Sequence, residues 1–246
     1  MINKVQLQSI IDKYYLDGKI EQVKWEIKDN KLNINFSSPN KEMLGSTQAH
    51  NFNLQDLTFG VNNTTQLLKL INITAGNLEL NFSKQDHVVS KLIVSDENYT
   101  LNYSLANILI IPKAGKYTGS EEYDVEAPLN LEILNFLIKA NSSLQDNKTV
   151  CIKSYSNMDG DFQLELVFGE DDEYSNKVSF YLTNITSNKS TSEFSLKFDA
   201  ELFRAILACN KDLNKGKLLL NTEGLIKLEF ENEITKNTYY LVQKQN

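Results

Sequence analysis

The sequence predicts an α+β fold in which a few short helices lie against antiparallel sheets, laid out as two similar domains. Three observations predict it. Alternation of apolar and polar residues with period two, the mark of half-buried strands, runs through most of the chain. Only four segments switch to helical spacing, and the order of helix, strands, helix and strands begins again after Pro128, as duplication would produce.

The elements follow in order. The first helical stripe is Leu7, Ile10, Ile11 and Tyr14. Gln22–Lys28 and Lys31–Phe36 alternate on either side of Asp29-Asn30, a hairpin signal. A second helix opens at Asn62 or Asn63 as N-cap and carries Leu67, Leu68 and Ile71. Strands are then expected at 76–83, 88–95 and 99–103. The third helix, after Pro128, carries Leu131, Leu134, Leu137 and Ile138, and strands follow at 150–155, 162–168, 177–182 and 193–198. Asp199 caps the fourth helix, with Leu202, Phe203, Ile206 and Leu207, before strands at 217–221, 225–231 and 238–242. Gly76–Asn81 after the second helix matches Gly216–Asn221 after the fourth, which supports the duplication. Lys113–Glu122, polar and glycine-bearing, is the best linker. The expected domains are therefore residues 1–112 and 123–246, with a mobile connector at 113–122.

Composition removes whole classes of function. At 246 residues with 41% hydrophobic and 23% charged residues, the chain is neither disordered nor low in complexity. Its longest apolar stretch, Ala106 to Pro112 interrupted by Asn107, falls far short of the roughly 18 residues of a membrane span. No signal-peptide run opens it, so the expectation is an intracellular protein with no membrane partner. Cys151, Cys209, His50 and His87 are too few and too scattered for a zinc site or a disulfide framework, so neither metal nor cofactor is expected. A net charge of −7 argues against a surface that clings everywhere to phosphate.

No phosphate-cradling loop, nucleophile elbow or zinc-helix motif is present, and no catalytic residue is assigned. The carboxylate clusters Glu170-Asp171-Asp172-Glu173 and Glu121-Glu122 read as solvated loop and linker, because clustered like charges need water. His50 and His87 read as surface histidines. The helix cations are more informative. Lys13, Lys69, Lys139, Arg204 and Lys211 all fall away from the apolar stripes. Arg204, the sole arginine, and Lys211 are seven apart and are expected on one side of one helix. Four equivalent helices on one surface would add these cations into a single electropositive stripe on an acidic protein.

With this arrangement the chain resembles the ring-shaped DNA sliding clamps, specifically the bacteriophage T-even type and its eukaryotic and archaeal relatives. The likeness covers the whole chain as an arrangement. It is most specific at the end, in Asp199–Lys211, Gly216–Asn221, Gly224–Phe230 and Thr238–Val242. The resemblance implies a processivity factor without catalysis of its own, active in the cytoplasm or in a host's cytoplasm. Three copies would close head to tail into a homotrimeric ring around double-stranded DNA, read without sequence preference. A clamp loader would place the ring, and the ring would tether a DNA polymerase.

It also implies site residues. Lys13, Lys69, Lys139, Arg204 and Lys211 would face the DNA. A strand within Ser104–Ile111, with Leu105 and Ile108, would pair with Val178, Phe180 and Leu182 of the next copy. Partner peptides would dock at Ile111, Pro112, Tyr240 and Val242, with Met43 and Leu44 as neighbours. Two alternatives remain open at this level: a viral or structural β-rich module that does not encircle DNA, and a carbohydrate- or nucleotide-processing enzyme.

Overall fold

In the computed structural model, the residues described are 1–85, 88–144, 147–156, 162–169, 175–187 and 193–244. His87 and the Glu170–Glu173 cluster lie outside them. The chain divides into two compact units. The first comprises Met1–Pro39, Leu44–Lys116 and Glu233–Asn237, and the second Asn40–Met43, Tyr117–Asn232 and Thr238–Asn246.

In the first half of the chain the elements are β1 (Ile2–Asn3), α1 (Lys4–Tyr15), β2 (Val23–Lys28), β3 (Lys31–Ser37), β4 (Met43–Ala49), β5 (Leu57–Val61), α2 (Thr64–Asn72), β6 (Asn77–Gln85), β7 (Val88–Ser95) and β8 (Thr100–Ser104). The second half contributes β9 (Val125–Leu129), α3 (Leu131–Ser142), β10 (Thr149–Ser156), β11 (Phe162–Gly169), β12 (Lys177–Leu182), β13 (Thr186–Ser187), β14 (Ser195–Asp199), α4 (Ala200–Cys209), β15 (Lys215–Asn221), β16 (Leu225–Glu231) and β17 (Thr235–Val242). Sheet order repeats as well. β1-β6-β7-β8 has its counterpart in β9-β15-β16-β17, and β5-β2-β3-β4 in β14-β10-β11-β12. The expected duplication is thus present strand for strand, with β13 as an extra short pairing on β9.

Local chemistry accounts for the element ends. Asn3, Asn63, Asn130 and Asp199 each accept a backbone N–H of the first turn through the side chain, so the abundant asparagines supply three of the four helix caps. Asp29 and Asn30 both adopt the left-handed conformation, with φ of 52° and 57°, which suits the tight turn of the β2–β3 hairpin.

Besides the two-residue β1 and β13, three strands escape the alternation pattern. In β4 the inward residues are Met43, Gly45, Thr47 and Ala49, too small or too polar to read as an apolar face. A Cβ at Gly45 would collide with the Phe36 ring, so the glycine makes room for a core aromatic. β5 is buried continuously over Phe59–Val61 and so lacks period two. β9 contains Pro128, tolerated because that stretch pairs on one side only among the described residues.

The core of the first unit is aromatic: Trp25 packs 5.4 Å from Phe59 and 6.3 Å edge-on from Tyr14, between ring centres. In the second unit Phe168, Phe198, Phe203, Phe230 and Tyr239 are fully buried. Leu131, expected in the α3 stripe, is half exposed instead, because the stripe begins one turn later at Leu134.

Candidate nucleic-acid face and docking surfaces

The helices hold their cations in unequal positions. Lys69 on α2 and Lys139 on α3 are exposed, and Arg204 on α4 is half-buried. Lys13 is not on a polar face: it is 1% exposed and packs with the α1 core residues. The reason is angular. At about 100° per residue Lys13 lies only about 60° from Ile10, on the flank of the stripe rather than behind it.

Lys211 is exposed but does not belong to α4, contrary to the expected shared side with Arg204. The helix stops at Cys209, where Asn210 turns back and donates from Nδ2 to Ile206 O (2.8 Å) and to Tyr239 Oη (3.1 Å). The turn that follows carries Lys211.

No strand runs from Leu105 to Ile111. β8 ends at Ser104, Ala106 N–H donates to Gly60 O on β5, and Asn107 initiates a turn by accepting from Leu109 N and Ile110 N. A Cβ at Gly60 would collide with Ile111 and with the Ala106 carbonyl, so the glycine admits this close crossing. Leu105 N–H still donates to Ser90 O of β7 at 2.9 Å, Ile108 lies beyond the strand in the turn, and β8 is one edge of that sheet, paired only with β7 among the described residues. On the second unit β12 is the corresponding edge, paired only with β11 among the described residues. Its Val178 and Phe180 are half-buried, Phe180 lies 6.0 Å from Phe136 of α3, and Leu182 is buried in the core.

The turn also creates a feature that periodicity does not foretell. Leu109 is 85% and Ile110 69% exposed, adjacent apolar side chains facing solvent on the first unit. Their signal in the sequence is the longest apolar stretch of the chain, a pattern that suggests a strand. Of the expected docking residues there, Pro112 is exposed and Leu44 half-buried, while Ile111 is buried. Met43, which belongs to the second unit, is fully buried and offers no surface, since its β4 side faces inward.

On the second unit Val242 is exposed and Tyr240 half-buried. Tyr240 stacks on Tyr117, with ring centres 4.5 Å apart and planes at 20°. Its hydroxyl donates to Glu121 (3.0 Å), whose other oxygen lies 2.6 Å from Lys227 Nζ. Lys227 also reaches Glu229 at 3.0 Å and sits 5.6 Å from the ring centres of both Tyr123 and Tyr240, a cation–π geometry. From Tyr117 onward the connector is clasped to β16 and β17.

Electrostatics follow the geometry. The Lys227 hydrogen bond holds the Glu121 carboxyl below its ordinary range. Burial opposes the charge on Lys227, but the hydrogen bonds it donates to Glu121 and Glu229, with the negative charge beside it, outweigh burial and raise its pKa. Burial likewise raises the Tyr240 phenol. Beside this clasp an open groove is lined by Tyr117, Asn221, Leu225, Val242, Gln243 and Lys244.

Elsewhere on the first unit, a cavity of about 140 Å³ has a mixed lining, with Ile10, Phe52 and Leu78 on its apolar side and Gln6, Asn53 and half-buried His50 on its polar side. No group of three or more His, Cys, Asp or Glu able to hold a metal occurs among the described residues. Among them, too, no helix is long and apolar enough to cross a membrane.

No protein-family model matches the sequence, and no curated relative matches it. Solved structures do resemble the chain over its whole length. Proliferating cellular nuclear antigen (PCNA) from Entamoeba histolytica aligns with a TM-score of 0.72 at 16% identity, covering 99% of this chain and 96% of that one. The chain has the PCNA fold. A. fulgidus PCNA, solved bound to the C-terminal region of FEN-1, gives 0.75 at 14% identity, with 100% and 97% covered. The PCNA2–PCNA3 complex from Sulfolobus tokodaii gives 0.72 at 10% identity, with 99% and 98% covered. The likeness to the clamps thus stands as a PCNA-type fold, while identities this low carry no residue-by-residue assignment.

Proposed function

We propose that this chain is a DNA sliding clamp: three copies close head to tail around duplex DNA, and the ring tethers a DNA polymerase without chemistry of its own. The observation that carries the reading is the end-to-end likeness to PCNA structures, in which nearly the full length of both chains is covered. The A. fulgidus complex supports a surface that takes a partner's terminal segment, and the Sulfolobus complex supports contact between clamp chains.

In this reading Lys69, Lys139, Arg204 and Lys211 face the DNA. Flexible, water-separated cations suit sliding, because tight phosphate contacts would favour a fixed register. The edges β8 and β12 are two unlike surfaces on one chain, and joining one to the other between copies makes a heterologous contact that closes into a ring. Partner segments engage the apolar turn at Leu109, Ile110 and Pro112 on the first unit, and the groove beside Tyr240 and Val242 on the second. The domains are 1–112 and 123–246 with a connector at 113–122, and the setting is intracellular, where DNA is replicated.

The test is retention on DNA. Loaded with a clamp loader, the protein stays on closed-circular DNA and runs off linear DNA, and its mass in solution is three times that of the chain. Equal retention on both forms overturns the reading.

A further inference from the structure

Resting on the reading of the Tyr240 groove as a docking surface, we propose that the connector segment Tyr117–Tyr123 is an internal occupant of that surface. It covers Tyr240 in the free chain, and a partner segment binds by displacing it with an aromatic ring and a carboxylate of its own.

Four features of the second unit lead to this. The Tyr117 ring lies nearly parallel on Tyr240, the contact that an incoming aromatic side chain would make. The fold prepares Tyr117 for the place: its hydroxyl donates to Ser120 O at 2.9 Å, and Gly119 leaves the space its ring needs, since a Cβ there would collide with the Tyr117 phenol. Glu121 supplies the charge that matches Lys227, whose side chain is only 13% exposed and stays cationic. The segment's own hold is modest, because residues 118–122 are exposed and Glu121 is 56% exposed at its side chain.

These features also define the chemistry of the displacing segment. A ring alone would replace Tyr117 but leave Lys227 with Glu229 as the remaining one of its two carboxylates, which is costly for a cation only 13% exposed. A segment carrying both groups, spaced as Tyr117 and Glu121 are, replaces both contacts. Because the connector competes from within the same molecule, its effective concentration is high and it screens out segments that offer only one of the two groups.

The experiment uses the full chain and three variants, Tyr117→Ser, Gly119→Ala and Glu121→Gln. The first probe is a synthetic peptide of this chain's own sequence from Lys116 to Asp124, added in trans. It is expected to bind Tyr117→Ser and Gly119→Ala about three- to tenfold more tightly than the unaltered chain, the range of one aromatic pair. The same peptide with its tyrosine at position 117 replaced by alanine is expected to lose that gain. Hydrogen exchange of amides 117–123 is expected to speed up in all three variants while that of β15 to β17 is unchanged. Equal peptide binding by all chains, or by none, overturns the proposal.

A second probe, the terminal peptide of the polymerase, separates this idea from the docking reading. Equal binding to the unaltered chain and to Tyr117→Ser overturns the internal occupant and leaves the docking surface standing. Binding to neither, with the connector peptide still captured by Tyr117→Ser, overturns the docking reading alone.

Discussion

Lys244 Nζ lies 2.9 Å from the Asp199 carboxylate, and the same carboxylate accepts the Leu202 N–H that opens α4. One side chain therefore caps a helix and fastens the segment after β17, whose Lys244 N–H also donates to Lys197 O. Asp199→Ala is expected to cost about 1–2 kcal/mol, most of it the cap, lowering Tm by a few degrees in a chain of this size. Asp199→Asn keeps an acceptor for Leu202 and is expected to cost less than half as much. Thermal unfolding of both variants and of Lys244→Met checks the division: equal losses in Asp199→Ala and Asp199→Asn would show that the ion pair, not the cap, dominates.

The candidate cations separate into two kinds, and their variants should separate too. Reversal of Lys69, Lys139, Arg204 or Lys211 to Glu is expected to weaken DNA retention across all sequences and to reduce the salt slope by roughly 1 for each phosphate interaction removed, with stability little changed. Lys13→Glu is expected instead to destabilise the first unit, because it would place a carboxylate where a buried lysine now packs. Salt-dependent retention and chemical denaturation, run in parallel, distinguish the two.

Edge pairing predicts an outcome that no symmetric contact would give. Phe180→Pro blocks β12, and Asn102→Pro blocks β8, each by removing a backbone donor and altering an edge. Each variant alone is expected to be monomeric. Mixed, they retain one good β8 and one good β12 between them, so sedimentation should show dimers and no trimers.

The apolar turn offers a contrast between neighbours. Leu109→Ser with Ile110→Ser is expected to leave unfolding unchanged, since both side chains already face water, and to reduce polymerase stimulation. Ile111→Ser, one residue on, is expected to cost about 2–3 kcal/mol through loss of a buried side chain. Processivity assays and denaturation on the same preparations decide whether the turn serves docking.

Acidity should open the connector clasp. Glu121 has a folded-state pKa below its ordinary value, so its contribution is fully present above the ordinary carboxylate range and is lost as pH falls through the lowered value. Lys227 is raised, so its contribution is present below the usual lysine range and disappears only at strongly alkaline pH. Hydrogen exchange at 117–123, corrected for intrinsic rates, is expected to be flat through the neutral range and to rise in acid. Glu121→Gln is expected to remove that rise.

The sequence by itself determined the α+β class, the four helices, most strands and the duplicated order, because these depend on periodicity and on local signals such as Asp29-Asn30 and the Asp199 cap. It determined the helix cations as candidates as well. It did not determine β4, whose inward face of Met43, Gly45, Thr47 and Ala49 makes sense only beside Phe36. Nor did it settle which cations are accessible: Lys13, on the flank of its stripe, is covered by packing, whereas Lys69 stays exposed. The turn at Asn107 and the stack of Tyr117 on Tyr240, half a chain apart, were decided by the tertiary structure. The difference is one of range. Hydrophobic period and capping act over a few residues and are written in order along the chain, whereas exposure, edges and ring contacts arise between segments that folding brings together.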